Sequence, residues 1–208
     1  MAGIHKITQF GIIRHTETVW NREKRIQGQI DTPLTPEGEK QAIEQGRILN
    51  KFKWDRILVS DIGRAQKTAH FINISLQIPV IEDSRLREQH WGVWAGKTIA
   101  QIKKEAPLLM AEQEAAGWRF CPPGGEDRNM VWKRSKSALK EAYEKLPGSK
   151  ILVITHEGVI KSLVYRLCRQ KFLSTEPIIL YPGYLHWLIH DIEGLKIKAI
   201  NALALSVT

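Results

Sequence analysis

The chain has 208 residues, 43% hydrophobic and 25% charged, and 31 basic against 22 acidic side chains give a net charge of +9. That length holds one domain with a sizeable core, and its two cysteines, Cys121 and Cys168, build neither a disulfide framework nor a thiolate metal site. No apolar run nears the roughly 20 residues that span a bilayer, and "MAGIHKITQFGIIRH", broken by His5, Lys6 and Gln9, does not read as a signal peptide, so the expectation is a soluble cytoplasmic domain over 1–208 with no membrane partner.

"KITQFGII" (6–13) reads as the first strand. "PLTPEGEKQAIEQGRILNKF" (33–52) reads as a helix, with Thr35 as N-cap, Pro36 at the first helical position and Gly38 as its weak point. Ala42, Ile43, Gly46 and Leu49 give it one buried face. "DRILVS" (55–60) is a second strand and "GRAQKTAHFINISL" (63–76) a second helix. "IPVIED" (78–83) suits an edge strand, because Pro79 removes a ladder donor.

Residues 84–130 differ in texture. They hold "HWGVWAGK", a short helix near 98–105 and the turn-rich "WRFCPPGGED", and they read as an insertion covering one end of the sheet. Helix returns over 127–146. "KILVIT" (150–155) is a fully apolar strand followed directly by a helix over 158–168. "PIIL", "YLHWLIH" and "LKIKAINAL" read as three late strands joined by tight turns. Apolar strands alternating with amphipathic helices indicate an α/β fold: a three-layer sandwich with a mostly parallel central sheet flanked by helices. The late strands add antiparallel edge pairing.

In such folds ligands sit at the carboxyl ends of the strands. Three strand ends here carry polar chemistry: Arg14 and His15, then Ser60, Asp61 and nearby Arg64, then His156 and Glu157. If the sheet is parallel at these points, two histidines and two arginines face one cleft. Such crowding is costly without an anion and suits a phosphoryl group, whose oxygens match the fixed donors of arginine. Arg64 in the first turn of its helix also opposes the helix dipole.

A neutral imidazole can attack phosphorus and form a phosphohistidine. The arginines would hold the equatorial oxygens. Glu88, in "RLREQHWG", is the best-placed acid for the leaving oxygen, with Glu157 a rival and Glu17 a third nearby carboxylate. "THEGVI" lacks the second histidine of a zinc protease. No Asp-rich two-metal cluster, P-loop or serine elbow is present, so neither metal nor organic cofactor is expected. The basic residues are scattered and lack any nucleic-acid-binding motif, so no specific nucleic acid is expected.

These residues resemble the histidine phosphatase superfamily, in its phosphoglycerate mutase-like branch. "RHTETVWN" is similar to that branch's Arg-His-Gly-Glu-Thr signature, with Thr16 in place of glycine. "RIQGQIDTPLTPEG", "SDIGRAQKTA", "LREQHWGVWAGKT" and "THEGVI" resemble its later segments in the same order, with Glu157 in place of a glycine. The resemblance implies a phosphoglycerate mutase-like fold. It implies His15 as the phosphorylated nucleophile, Arg14, Arg64 and His156 as the phosphate pocket, and Glu88 as proton donor. Asn21 would add a donor, and Gln27 and Gly28 would line the substrate entrance.

The expected function is a metal-independent phosphomonoester hydrolase acting on a small phosphorylated metabolite. A phosphoglycerate mutase-type phosphoryl transfer is one alternative, and a non-catalytic phosphoanion or nucleic-acid-binding module is another. Some of Trp91, Trp118 and Trp132 are expected near the cleft, and Arg119 and Lys133 are candidates to meet a second acidic group of the substrate. An edge strand such as 78–82 leaves a homodimer open.

Overall fold

The computed structural model describes residues 6–205. Residues 1–5, the start of the N-terminal stretch read above, and residues 206–208 lie outside the described residues. The chain runs β1 (Thr8–Arg14), α1 (Val19–Arg22), α2 (Pro36–Leu49), β2 (Arg56–Val59), α3 (Gly63–Leu76) and β3 (Val80–Glu82). It continues through α4 (Ile99–Glu105), α5 (Pro107–Ala115), α6 (Arg128–Lys145), β4 (Lys150–Thr155), α7 (Glu157–Leu167), β5 (Tyr184–Asp191) and β6 (Gly194–Ala204).

The six strands form one sheet in the order β3-β2-β4-β1-β5-β6. The first four in that order are mutually parallel, and β5 and β6 are antiparallel additions beside β1. The sandwich follows from the period of two in the strands. In β4, Ile151 and Val153 face a core shared with Val131, Ala138 and Leu139 of α6 and Val159 and Leu163 of α7. Leu152 and Ile154 face the opposite core, with Ala42 and Leu49 of α2 and Ala65, Ala69 and Ile72 of α3. A one-residue slip of β4 would exchange the two faces.

The N-cap of α2 forms as expected: Gly38 N–H donates to Thr35 Oγ1 at 2.9 Å, with Pro36 next. Gly38 is not a weak point but a close approach. A Cβ there would stand 2.1 Å from the carbonyl oxygen of Glu17, so only glycine lets α2 pack against the loop after β1. β3 is an edge strand with all three residues exposed, and the Pro79 carbonyl accepts from Ile57 N–H at 2.8 Å.

One expectation is corrected. "PIIL" (177–180) is not a strand. Its backbone groups go to side chains instead: Asn201 Nδ2 donates to Ile179 O at 2.8 Å and Gln170 Nε2 to Pro177 O at 3.2 Å. Asn201 itself sits at φ +48°, so β6 is locally distorted where its side chain reaches this segment. No helix is expected from the sequence directly after α4, where Pro107 opens α5 from its first position. The short α1 was also unforeseen. Its capping box is made by Thr18 and Asn21. Residues from 91 to 120 enclose a small core of their own, Trp94, Ile102, Met110 and Phe120, beside the carboxyl ends of the parallel strands.

Candidate active site

Strand register places the two histidines side by side. Arg14 pairs with Thr155 across β1 and β4, and His15 N–H donates to Thr155 O at 2.9 Å. The next residues, His15 and His156, therefore leave the sheet together, with ring centroids 5.2 Å apart. Ser60 is delivered to the same level from β2, where its N–H donates to Ile154 O.

His15 is held in one tautomer. Its Nδ1 lies 2.8 Å from the Thr16 carbonyl, which can only accept, so Nδ1 carries the proton and Nε2 the lone pair. Arg64 Nε–H donates to that Nε2 at 3.2 Å. Desolvation, then the Arg14 and Arg64 charges, hold His15 well below the ordinary imidazole range, and only the Thr16 bond opposes them. A buried neutral ring whose Nε2 lone pair is engaged by Arg64 can act as a nucleophile at neutral pH once that hydrogen bond is released. Thr16 takes the signature's glycine position without obstructing it. Its N–H and hydroxyl both meet Thr68 Oγ1 at 3.2 Å.

His156 is fully buried behind His15 and does not line the cavity. Its Nε2 lies 2.8 Å from Ser60 Oγ, which also accepts from Ile62 N–H. The other ring nitrogen, Nδ1, is buried and has no hydrogen-bond partner among the described residues. Desolvation, His15 and the nearby arginines hold this ring well below the ordinary range as well.

Arg64 is 1% exposed although it is a charged residue. Its Nη1 donates to Ile30 O at 2.8 Å and its Nη2 to Gly28 O at 2.7 Å. Gly28 adopts φ +53°, a left-handed conformation that turns this carbonyl inward. Arg14 is one-third exposed and donates from Nη1 to Glu157 Oε2 at 2.8 Å, while its buried Nε has no partner.

Glu88 reaches the cavity from the loop after β3. Its Oε1 accepts from Gln89 N–H at 2.7 Å, and its Oε2 from Gly158 N–H at 3.2 Å. Desolvation raises its carboxyl above the ordinary value, against those two bonds and the two arginines. A carboxyl group that keeps its proton to higher pH suits a general acid. Gly158 is the residue that admits it, since a Cβ there would lie 2.3 Å from Glu88 Oε1. Burial pushes Glu157 up, but Arg14 and Lys161 outweigh burial and hold it below the ordinary carboxylate value. The two carboxyl groups are thus shifted in opposite directions, and of the two Glu88 holds its proton to the higher pH.

One cavity of about 370 Å³ is lined by Arg14, His15, Arg64, Glu88 and Glu157, and by Asn21, Gln27 and Gly28 at the entrance side. Gln27 Oε1 accepts from the hydroxyls of Thr18 and Thr32, at 3.0 and 2.7 Å, so its amide nitrogen is the end left for a ligand. Asn21 lends its Oδ1 to the Thr18 N–H at 3.1 Å. Glu17 does not line this cavity. It accepts from Arg22 and from Thr35 Oγ1, both at 2.7 Å, and so fixes the loop. Asp61 pairs with Arg87.

Of the three tryptophans placed near the cleft, Trp91 lines it, whereas Trp118 and Trp132 pack on the core. Arg119 and Lys133 do not line it. The further cations that do are Arg25, Arg128 and Lys161, which carry no motif in the sequence.

Residues 10–203 match the family model of the histidine phosphatase superfamily (branch 1). The chain belongs to that superfamily. Among its relatives is a protein named probable phosphoglycerate mutase GpmB from Salmonella choleraesuis (strain SC-B67). It is 36% identical over 165 residues, which cover 75% of this chain and 73% of the relative. Two solved structures are similar to this histidine phosphatase fold over nearly its whole length. Bacillus stearothermophilus YhfR has a TM-score of 0.86 at 29% identity, covering 95% of this chain and 98% of that one. The mycobacterial glucosyl-3-phosphoglycerate phosphatase Rv2419c has a TM-score of 0.80 at 27% identity, covering 95% and 100%. Among the described residues, no helix of this superfamily member is long and apolar enough to cross a membrane.

Proposed function

We propose that the chain is a phosphomonoester hydrolase that acts on a small phosphorylated metabolite through a phosphohistidine on His15. The observation that carries this is the lone pair of His15 Nε2, fixed by the Thr16 carbonyl behind it and placed with Arg64 and Glu88 on the wall of one cavity. The Nε2 lone pair, released from its hydrogen bond with Arg64 Nε–H, attacks phosphorus in line as the ester P–O bond breaks. The leaving oxygen takes the proton of Glu88. Arg14 and Arg64 hold the non-bridging oxygens, whose charge they offset in the transition state. A water molecule then attacks the phosphohistidine, its proton passes to Glu88, the P–N bond breaks, and phosphate leaves.

The test is turnover with a labelled ester. The wild type releases phosphate and, on rapid quenching in base, retains label that acid removes. His15→Ala loses activity by roughly 10⁴-fold or more and retains no label. Undiminished turnover in His15→Ala would overturn the reading.

A mutase is the second reading, favoured by the name of the 36% identical relative. In it the phosphohistidine returns its phosphoryl group to another hydroxyl of the bound molecule. Phosphate release from 3-phosphoglycerate measured beside its isomerisation separates the two. Isomerisation faster than release would favour the mutase.

A further inference from the structure

Among the described residues, Arg128, the first residue of α6, is the cation in the cavity wall that lacks a counter-charge. Its Nη1 donates to Gly117 O and Phe172 O, both at 3.0 Å. Its guanidinium carbon lies 4.2 Å from the ring centroid of Phe120 and 4.0 Å from that of Phe172, so two aromatic rings fix the plane of the group. It lines the same cavity as His15 and Glu88.

The other cations on that wall each have a carboxylate. Arg14 meets Glu157 at 2.8 Å, Arg25 meets Glu23 at 2.7 Å, Lys161 meets Glu157 at 2.5 Å and Arg64 has Asp31 at 3.8 Å. Among the described residues Arg128 has none. Burial pulls its guanidinium down to about 10, and only Tyr165 acts in the other direction. Its place at N1 also sets it against the helix dipole. A half-buried, rigidly clamped cation with no anion beside it is unfavourable in the free protein. The clamp consumes Nη1 and leaves the Nε and Nη2 edge, the pair that grips an oxyanion with two parallel hydrogen bonds.

We infer that Arg128 reads a second oxyanion of the substrate, a carboxylate or a second phosphate, carried on the part of the molecule that leaves. This rests on the phosphatase reading of the cavity and narrows its substrate to phosphomonoesters that bear a further negative group. Arg128 is a specificity residue here, remote from the bond that breaks.

The experiment uses matched esters with the full chain. 3-Phosphoglycerate is compared with glycerol 3-phosphate for the carboxylate arm, and 1,3-propanediol bisphosphate with propyl phosphate for the phosphate arm. The readout is the ratio of kcat/KM within each pair, so a general loss of activity cancels. The wild type favours the acidic member tenfold or more in at least one arm, and the arm that responds identifies the group. Arg128→Met brings that ratio close to one, and Arg128→Lys, which keeps charge without the fork, falls between.

Wild-type ratios near one in both arms, or an unchanged ratio in Arg128→Met, would overturn the inference. If Arg128→Met does not fold, the wild-type and Arg128→Lys ratios decide alone. If no ester turns over, the phosphatase reading has failed separately. Calorimetry then compares phosphonoacetate with ethylphosphonate, and 1,3-propylenediphosphonate with propylphosphonate. Tenfold tighter binding of the acidic member in either pair, lost in Arg128→Met or halved on a logarithmic scale in Arg128→Lys, sustains the subsite. Equal affinities in both pairs refute it.

Discussion

Glu157 Oε2 accepts from Arg14 Nη1 at 2.8 Å, on the wall where a phosphoryl oxygen would require the same guanidinium. The carboxylate also holds Lys161 through its other oxygen, so one acidic side chain occupies two cations of the cavity. An incoming phosphate must share Arg14 with it. Glu157 thereby weakens retention of any phosphate dianion, the product included.

Removing that competition should tighten product binding. Glu157→Gln is expected to lower the inhibition constant of inorganic phosphate by about 2- to 5-fold, the scale of a partly exposed ion pair. Competitive inhibition by phosphate at fixed pH measures it. An unchanged or raised constant would show that Arg14 is not shared.

The raised carboxyl of Glu88 sets the alkaline side of the rate profile. Its proton must be present for the first step, so kcat/KM falls as pH rises through its elevated value. The acid side requires neutral His15, whose depressed value keeps the ring unprotonated below 6.5. Glu88→Gln is expected to lose roughly 10²- to 10⁴-fold on an alkyl phosphate. Its loss on p-nitrophenyl phosphate is smaller, because that leaving group departs without a proton. Equal losses on the two esters would remove Glu88 as the acid.

Gly158→Ala separates stability from chemistry. The added Cβ would come within 2.3 Å of Glu88 Oε1, the far end of a flexible side chain that can swing aside. Alanine in the first turn of α7 gains up to about 1 kcal/mol of helix propensity over glycine. The variant should unfold at the wild-type temperature or above, yet be slower on alkyl phosphates because the carboxyl has moved. Thermal unfolding and turnover on one preparation test both halves. Loss of stability with full activity would contradict the packing described here.

The two site histidines, His15 and His156, add to the buried His186 and His190 of β5 in making the fold acid-sensitive. Both site rings are depressed, His156 first by desolvation and then by its neighbours. Below the ordinary value of 6.5 the unfolded chain takes up protons that the folded chain refuses, so stability declines as pH falls. The slope approaches about 1.4 kcal/mol per pH unit for each ring. His156→Gln should flatten the fall in unfolding temperature between pH 7 and 5. A slope equal to that of the wild type would mean that the ring is not held neutral.

The strand ends were legible because each apolar run stops abruptly at residues no core would accept: Arg14 and His15, Ser60, and His156. Thr35 and Pro36 announced α2 for similar local reasons. What sequence hid was everything decided by distant partners. Gly38 and Gly158 look like helix defects until the Glu17 carbonyl and the Glu88 carboxyl occupy the space a Cβ would take. The apolar "PIIL" has the composition of a strand, but Asn201 and Gln170 take carbonyls that a ladder would need. Arg128 carries no motif, and its clamp is assembled from Phe120 and Phe172, on segments far apart in the chain. Arg119 and Lys133 were plausible by charge alone, and charge does not say which way a side chain faces.

The hydrogen bond from His15 to the carbonyl of Thr155 joins the start of the sheet to a strand that is synthesised much later. An amino-terminal fragment ending before residue 150 would keep His15, Arg14, Arg64 and Glu88 but have nothing to hold β1 and β2 in register, because β4 lies between them. Catalytic competence therefore requires β4 in place, and a fragment ending before residue 150 should show no turnover.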